Sequence, residues 1–229
     1  MNDNEERDDD AAPELESRPQ SRREWNGWLK SIVLPLGLVV VIVAGLLYIQ
    51  SNRGGSSSSN DGFGTVALPA AKNATDKSPA AQQDRAAPDF LLPVIDGSQV
   101  RLSDLQGHPV LVNFWASWCT PCREEAPDLI KISNDYKDQG LQVLGVDLRE
   151  SDTAVRGFVD EFGVPYPIAL DRNGQVASTW RIGGPNEGVP TSYFIDSSGV
   201  VRKVVFGYLT KSLEEDGFKA ILPASAASR

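Results

Sequence analysis

The run Val110-Leu-Val-Asn-Phe-Trp-Ala116 leads through Ser117 and Trp118 into Cys119-Thr-Pro-Cys122, and this junction constrains the chain more than any other feature. A mostly apolar run of that length is what a strand buried on both faces requires. Thr120 to about Gln139 then reads as a helix, with Leu129, Ile130 and Ile132 as apolar positions and Gly140 where a helix should stop. The two cysteines therefore fall at the turn from a buried strand into a helix. Helix N-termini carry unpaired backbone N–H groups and the positive end of the helix dipole, so a thiolate at Cys119 is favoured. Only the thiolate attacks a disulfide, and such a position lowers a thiol pKa below its ordinary ~8.5. Cys122 lies one turn deeper, within reach of Cys119. Pro121 suits the first turn, where its missing N–H costs nothing, and Arg123 adds positive charge nearby.

These two cysteines are the only ones, and His108 is the only histidine. Two cysteines are too few for a disulfide scaffold, and one histidine cannot complete a four-ligand zinc site. A c-type haem site would need histidine at position 123, where Arg123 stands. His108 reads as an ordinary surface residue. No glycine-rich phosphate loop is present in the folded part. The expectation is a redox dithiol with no metal and no cofactor. A net charge of −9 argues against nucleic acid, and the acidity reads as a solvated surface.

Composition divides the chain further. Residues 1–28 are polar and rich in Asp and Glu, and read as a disordered cytoplasmic tail. Residues 29–50 form an apolar segment with no charge from Ile32 to Ile49, flanked by Trp25, Trp28 and Tyr48. A long acidic leader and the lack of an Ala-x-Ala site favour an uncleaved signal anchor over a cleaved signal peptide. Arg18, Arg22, Arg23 and Lys30 precede the span and only Arg53 follows closely, so the redox domain is expected outside the cytoplasm, at the cell membrane. Residues 51–85 read as a flexible linker, residues 86–223 as one α/β domain, and residues 224–229 as a tail.

Within the domain, Leu141–Val146 is a second expected strand, and Ser151 or Asp152 caps a helix to Phe162. Pro167–Leu170 is a short strand, and Asp171–Gly174 a turn. Ser192–Ile195 and Val200–Phe206 form a hairpin around Asp196-Ser-Ser-Gly199, and a last helix runs from Lys211 to Ile221. Alternating strands and helices closing on a hairpin predict a mixed central sheet flanked by helices.

Residues 109–129, Pro-Val-Leu-Val-Asn-Phe-Trp-Ala-Ser-Trp-Cys-Thr-Pro-Cys-Arg-Glu-Glu-Ala-Pro-Asp-Leu, resemble the thioredoxin superfamily, and more narrowly its membrane-tethered TlpA/ResA branch. Ala87-Pro-Asp-Phe90, Leu102-Ser-Asp-Leu-Gln-Gly107 and Gly188-Val-Pro-Thr-Ser-Tyr-Phe-Ile-Asp196 are similar to the other signatures of that branch. The resemblance implies a thioredoxin-like fold and a thiol–disulfide oxidoreductase. It also implies a cis peptide before Pro190, with Val189 and Pro190 holding a bound substrate chain; read alone, Pro190 is an ordinary trans proline opening a strand. At the position of Glu125 the branch has a glutamate that helps proton transfer to the thiols; read alone, Glu125 is an acid favoured near a helix N-terminus. Asn113 stands where general thioredoxins carry a buried aspartate, so a proton relay here needs another group. Pro127 matches a helix-bending proline, and Trp118 is either a docking rim or a packing residue. The partners implied are protein thiols or disulfides, apocytochrome c among them, and a membrane electron donor.

Two rivals need different residues. A thiol peroxidase would place its cysteine in a Pro-x-x-x-Thr/Ser-x-x-Cys loop, which the residues before Cys119, Trp115 and Ala116 among them, do not form. A copper carrier would need a Cys-x-x-x-Cys spacing and a metal-binding histidine.

Overall fold

The computed structural model describes residues 62–183 and 188–222, together with Val39, Ile42 and Val43. The expected tail 1–28, residues 51–61 of the expected linker and the tail 224–229 lie outside the described residues. So does the expected span 29–50, apart from those three residues, which are helical and exposed. No helix among the described residues is long and apolar enough to cross a membrane.

The main sheet is built around β5 (Val110–Trp115), whose six residues are all buried. It pairs in parallel with β6 (Gln142–Leu148) and antiparallel with β8 (Thr191–Ile195). Beyond β6 lies β7 (Ile168–Asp171), also parallel. Beyond β8 lies β9 (Val200–Phe206), and outside it β2 (Arg85–Ala86), both antiparallel. The order is β2-β9-β8-β5-β6-β7, the mixed sheet expected from the pattern of elements.

Among the described residues, four helices flank it: α1 (Thr120–Tyr136), α2 (Asp152–Phe162), α3 (Gln175–Thr179) and α4 (Lys211–Ile221). α1 continues as a 3₁₀ turn to Gln139 and stops at Gly140, whose φ of 83° is the left-handed conformation that glycine adopts most easily. α2 begins at Ser151, whose side chain accepts the Ala154 N–H. α1 and α4 cover one sheet face through Leu111, Leu129, Ile132, Phe194 and Phe218. The opposite face packs around Phe90, Phe114, Trp180 and Tyr193.

Folded chain starts earlier than composition suggests. β1 (Gly64–Thr65), β3 (Phe90–Pro93) and β4 (Gln99–Arg101) form a second, antiparallel sheet. Residues 62–85 are therefore not a tether. The Val66 N–H donates to Asp89 O, Arg101 donates to Ala67 O, and Lys72 Nζ reaches Ser103 O. Buried Asp89 anchors this corner by accepting from Arg101 Nε at 2.8 Å and from the Ser103 N–H at 2.9 Å. Alanine, proline and polar residues look like linker in composition, but here their backbone groups find partners.

α4 lies so close to β8 that a Cβ on Gly217 would stand 2.3 Å from Phe194 Cε1. Phe194 is fully buried and has no room to withdraw. Gly217→Ala should therefore cost about 1–3 kcal/mol despite alanine's better helix propensity. Urea unfolding checks this; a stability equal to or above the parent would contradict the packing.

Candidate active site

β5 ends at Trp115, and four residues later Cys119 becomes the N-cap of α1. Cys119 and Cys122 are joined by a disulfide, with Cα atoms 5.2 Å apart. Cys119 Sγ accepts the Cys122 N–H at 3.2 Å, so the cysteine side chain itself caps the helix. This places Cys119 sulfur among the unpaired N–H groups that favour negative charge. Both cysteines are buried, among Trp115, Ala116, Ala126 and Ile168. Trp118 points outward with 69% of its surface exposed, so it is not a core residue. Arg123 serves elsewhere: it pairs with Glu161 and lies over the rings of Phe158 and Phe162, at 5.8 and 5.0 Å from their centroids.

The Val189–Pro190 peptide is cis. Val189 packs against the cluster that holds both cysteines. The carbonyl of Pro190 accepts the Gly207 N–H at 2.8 Å, and Thr191 pairs with Phe206, so the end of β9 flanks this loop. Phe206 is half exposed there.

Glu125 is buried one turn beyond Cys122, with 1% of its surface exposed. Its Oε1 accepts from Asn113 Nδ2 at 2.8 Å, and its Oε2 from the Leu209 N–H at 3.1 Å. Asn113 Nδ2 also donates to Ser192 Oγ at 3.0 Å. Strand β5 and the turn after β9 thus supply donors to a carboxyl group carried by helix α1, and Ser192 on β8 holds the Asn113 amide in place. Burial pushes the Glu125 carboxyl up to about 7; the bonds from Leu209 and Asn113 oppose this, and the charge of Asp128 adds to it. Burial also pushes the Tyr166 phenol up, with the charge of Glu125 contributing.

A pair of carboxyl groups, Asp147 and Glu150, also lies next to the loop that leads to Cys119. Glu150 accepts the Ser117 N–H at 2.5 Å and the Ser117 hydroxyl at 2.6 Å, holding the residue two before Cys119. Asp147 is buried at the end of β6, where its Oδ2 accepts the Glu150 N–H at 3.3 Å. Burial, then the adjacent Glu150 carboxyl, pushes Asp147 up to about 8. Sequence reasoning passed over Asp147, Glu150 and Ser192. Their signal was a polar residue at the end of, or just beyond, an apolar strand. β6 runs two residues past the expected end at Val146 and so takes in Asp147.

A buried strand delivering a bonded cysteine pair to a helix N-terminus, beside a cis-proline loop, defines a thiol–disulfide oxidoreductase of thioredoxin-like fold. Residues 84–204 match the AhpC/TSA family. Proteins named thiol-disulfide oxidoreductase ResA are 37% identical over 137 residues in Geobacillus kaustophilus, covering 60% of this chain and 76% of that one. The Oceanobacillus iheyensis counterpart is 39% identical over 142 residues, covering 60% and 72%. A solved thiol:disulfide interchange protein of the thioredoxin family from Chlorobium tepidum shares 29% identity and a TM-score of 0.55, covering 65% of this chain and 100% of that one. The chain belongs to the AhpC/TSA family and, within it, stands with the ResA-type thiol–disulfide oxidoreductases.

The raised Glu125 pKa has a stability consequence. The folded state holds this proton more tightly than the unfolded chain, where a glutamate titrates near ~4.3. Glu125's contribution is therefore fully present below that value and is lost as pH rises through about 7. Relative to Glu125→Gln, the oxidised parent should lose on the order of 3–4 kcal/mol between pH 4 and pH 9. Denaturant unfolding of both proteins across that range measures the difference; a constant difference would show that Glu125 does not titrate abnormally.

Proposed function

We propose that this chain is a membrane-tethered, extracytoplasmic reductant of protein disulfides that acts in cytochrome c maturation. The observation that carries the chemistry is the Cys119–Cys122 pair at the end of β5 with Glu125 buried one turn below it. The tether and its orientation rest on the uncharged apolar run within residues 29–50 and on the basic residues that precede it. The substrate class rests on the likeness to ResA proteins and on the branch signatures in the sequence.

The reduced protein carries two thiols. The Cys119 thiolate attacks one sulfur of a partner disulfide, forming a mixed disulfide and releasing the partner's other sulfur as a thiolate, which takes up a proton. Cys122 then gives its proton to the Glu125 carboxylate and attacks Cys119 Sγ. The Cys119–partner bond breaks, the second partner sulfur leaves and is protonated, and two electrons have passed to the partner. A carboxyl titrating near neutral pH suits this transfer, because it accepts and returns a proton at similar cost. Trp118, Val189 and Pro190 form the docking rim, where the backbone of the cis-proline loop pairs with the incoming chain. A membrane electron donor restores the two thiols.

Redox titration of the full chain against a glutathione or dithiothreitol buffer tests the direction of electron flow. A reductant should titrate near or below about −250 mV, whereas a value above about −150 mV would make it a disulfide-forming oxidant. Glu125→Gln should slow reduction of a model protein disulfide at pH 7 by about 10²-fold and flatten the rise of rate through neutral pH. An unchanged profile would remove Glu125 from the mechanism. A reporter fused after Arg229 should be active only outside the cytoplasm.

A further inference from the structure

The turn that follows β9 bonds to two parts of the site through two residues of the same short segment. Gly207 N–H donates to Pro190 O, on the docking loop, and Leu209 N–H donates to Glu125 Oε2. Between them Tyr208 projects to the surface of α1, where its hydroxyl donates to Asp128 Oδ2 at 2.8 Å. Asp128 lies three residues beyond Glu125, on the same side of the helix. We infer that Tyr208 is a positioning residue for Glu125: its bond to Asp128 moors the turn on α1 and so holds the Leu209 N–H against the buried carboxylate.

The geometry separates this role from ordinary stabilisation. Tyr208 is 37% exposed and borders a solvent-open cleft that also contains Lys131, Asp135, Lys211 and Glu214. A hydrogen bond so exposed contributes little to folding. Its effect is directional, because the Leu209 N–H and the Asn113 amide are the donors to the Glu125 carboxylate among the described residues, and a donor to the charged form eases ionisation. Leu209's own side chain is buried beside Phe218, which anchors the far end of the turn but leaves the orientation of its N–H to the near end. The titratable groups around Glu125 are Glu124 and Asp128 on its own helix, Tyr208 on the turn, Tyr166 before β7 and the two cysteines once reduced, while Lys211 and Glu214 on α4 line the adjoining cleft. Of these, Asp128 opposes ionisation of Glu125 through its charge, while Tyr208 assists it through the Leu209 N–H. The two partners of one hydrogen bond therefore act on Glu125 with opposite sign.

This inference rests on the reading of Glu125 as the proton carrier, and the experiment separates the two. Glu125 is titrated directly in the oxidised full chain, kept in detergent, by the ¹³C shift of its side-chain carboxyl. Tyr208→Phe loosens the Leu209 N–H and should raise the midpoint by about half to one pH unit. Asp128→Asn keeps an acceptor for Tyr208 but removes the charge, and should lower the midpoint. Both variants should unfold thermally within a few degrees of the parent. Midpoints that stay put, or move in the same direction in both variants, would overturn the mooring. Independently, the rise of exchange rate with pH should follow the same displacements and vanish in Glu125→Gln. Midpoints that move as expected while the rate profile does not would sink the catalytic reading and leave the mooring standing.

Discussion

A strand hydrogen-bonded on both sides cannot slide, and the whole site depends on that restraint in β5. Its pairing with β6 and β8 runs from Val110 almost to its end. Because every side chain in it is buried, a one-residue slip would exchange the side chains of its two faces and break the packing on both. The position of Trp115 is therefore set, and with it the distance from the sheet at which α1 begins. Cys119 reaches the helix N-terminus because the strand ends where it does. Asn113, two residues earlier, points its amide at Glu125 for the same reason.

Two buried carboxyl groups flank this junction, and both work against the stability of the fold at alkaline pH. Glu125 is held by Asn113 and Leu209, and Asp147 lies beside Glu150. Burying an acid without a cation is tolerated when the group can keep its proton, and both pKa values are raised accordingly. Among the described residues, Asp147 Oδ1 has no hydrogen-bond partner, and neither does the indole N–H of Trp115. Such groups gather where chemistry needs protons near neutral pH, since elsewhere a fold would replace them with apolar side chains.

Sequence pattern carried much of this. The apolar run of β5, the Gly140 stop, the Ser151 cap and the hairpin around Asp196–Gly199 are local signals, and each element formed within a residue or two of its expected place. The cysteine pair was legible because its chemistry and its setting agree. The second sheet was not, since β1 and β4 span two and three residues and owe their pairing to β3 between them. Nor was the environment of Glu125. Its donors come from residues 12 and 84 positions away, and no local pattern announces that the Leu209 N–H will face inward. Glu150 was hidden in the same way, 33 residues from the serine it holds.

Asn113 occupies a place on the sheet where a carboxyl could have stood, and it spends its amide hydrogens on Glu125 and Ser192. The titrating group thus rides on the helix that carries Cys122 instead of on the sheet. Cys122 and Glu125 share one helical turn, so a tilt or small withdrawal of the start of α1 carries sulfur and carboxyl together as a rigid body. A strand-borne acid would be left behind by the same displacement. The proton exchange proposed between the two groups would thereby be insulated from any local rearrangement that accompanies the opening and closing of the disulfide.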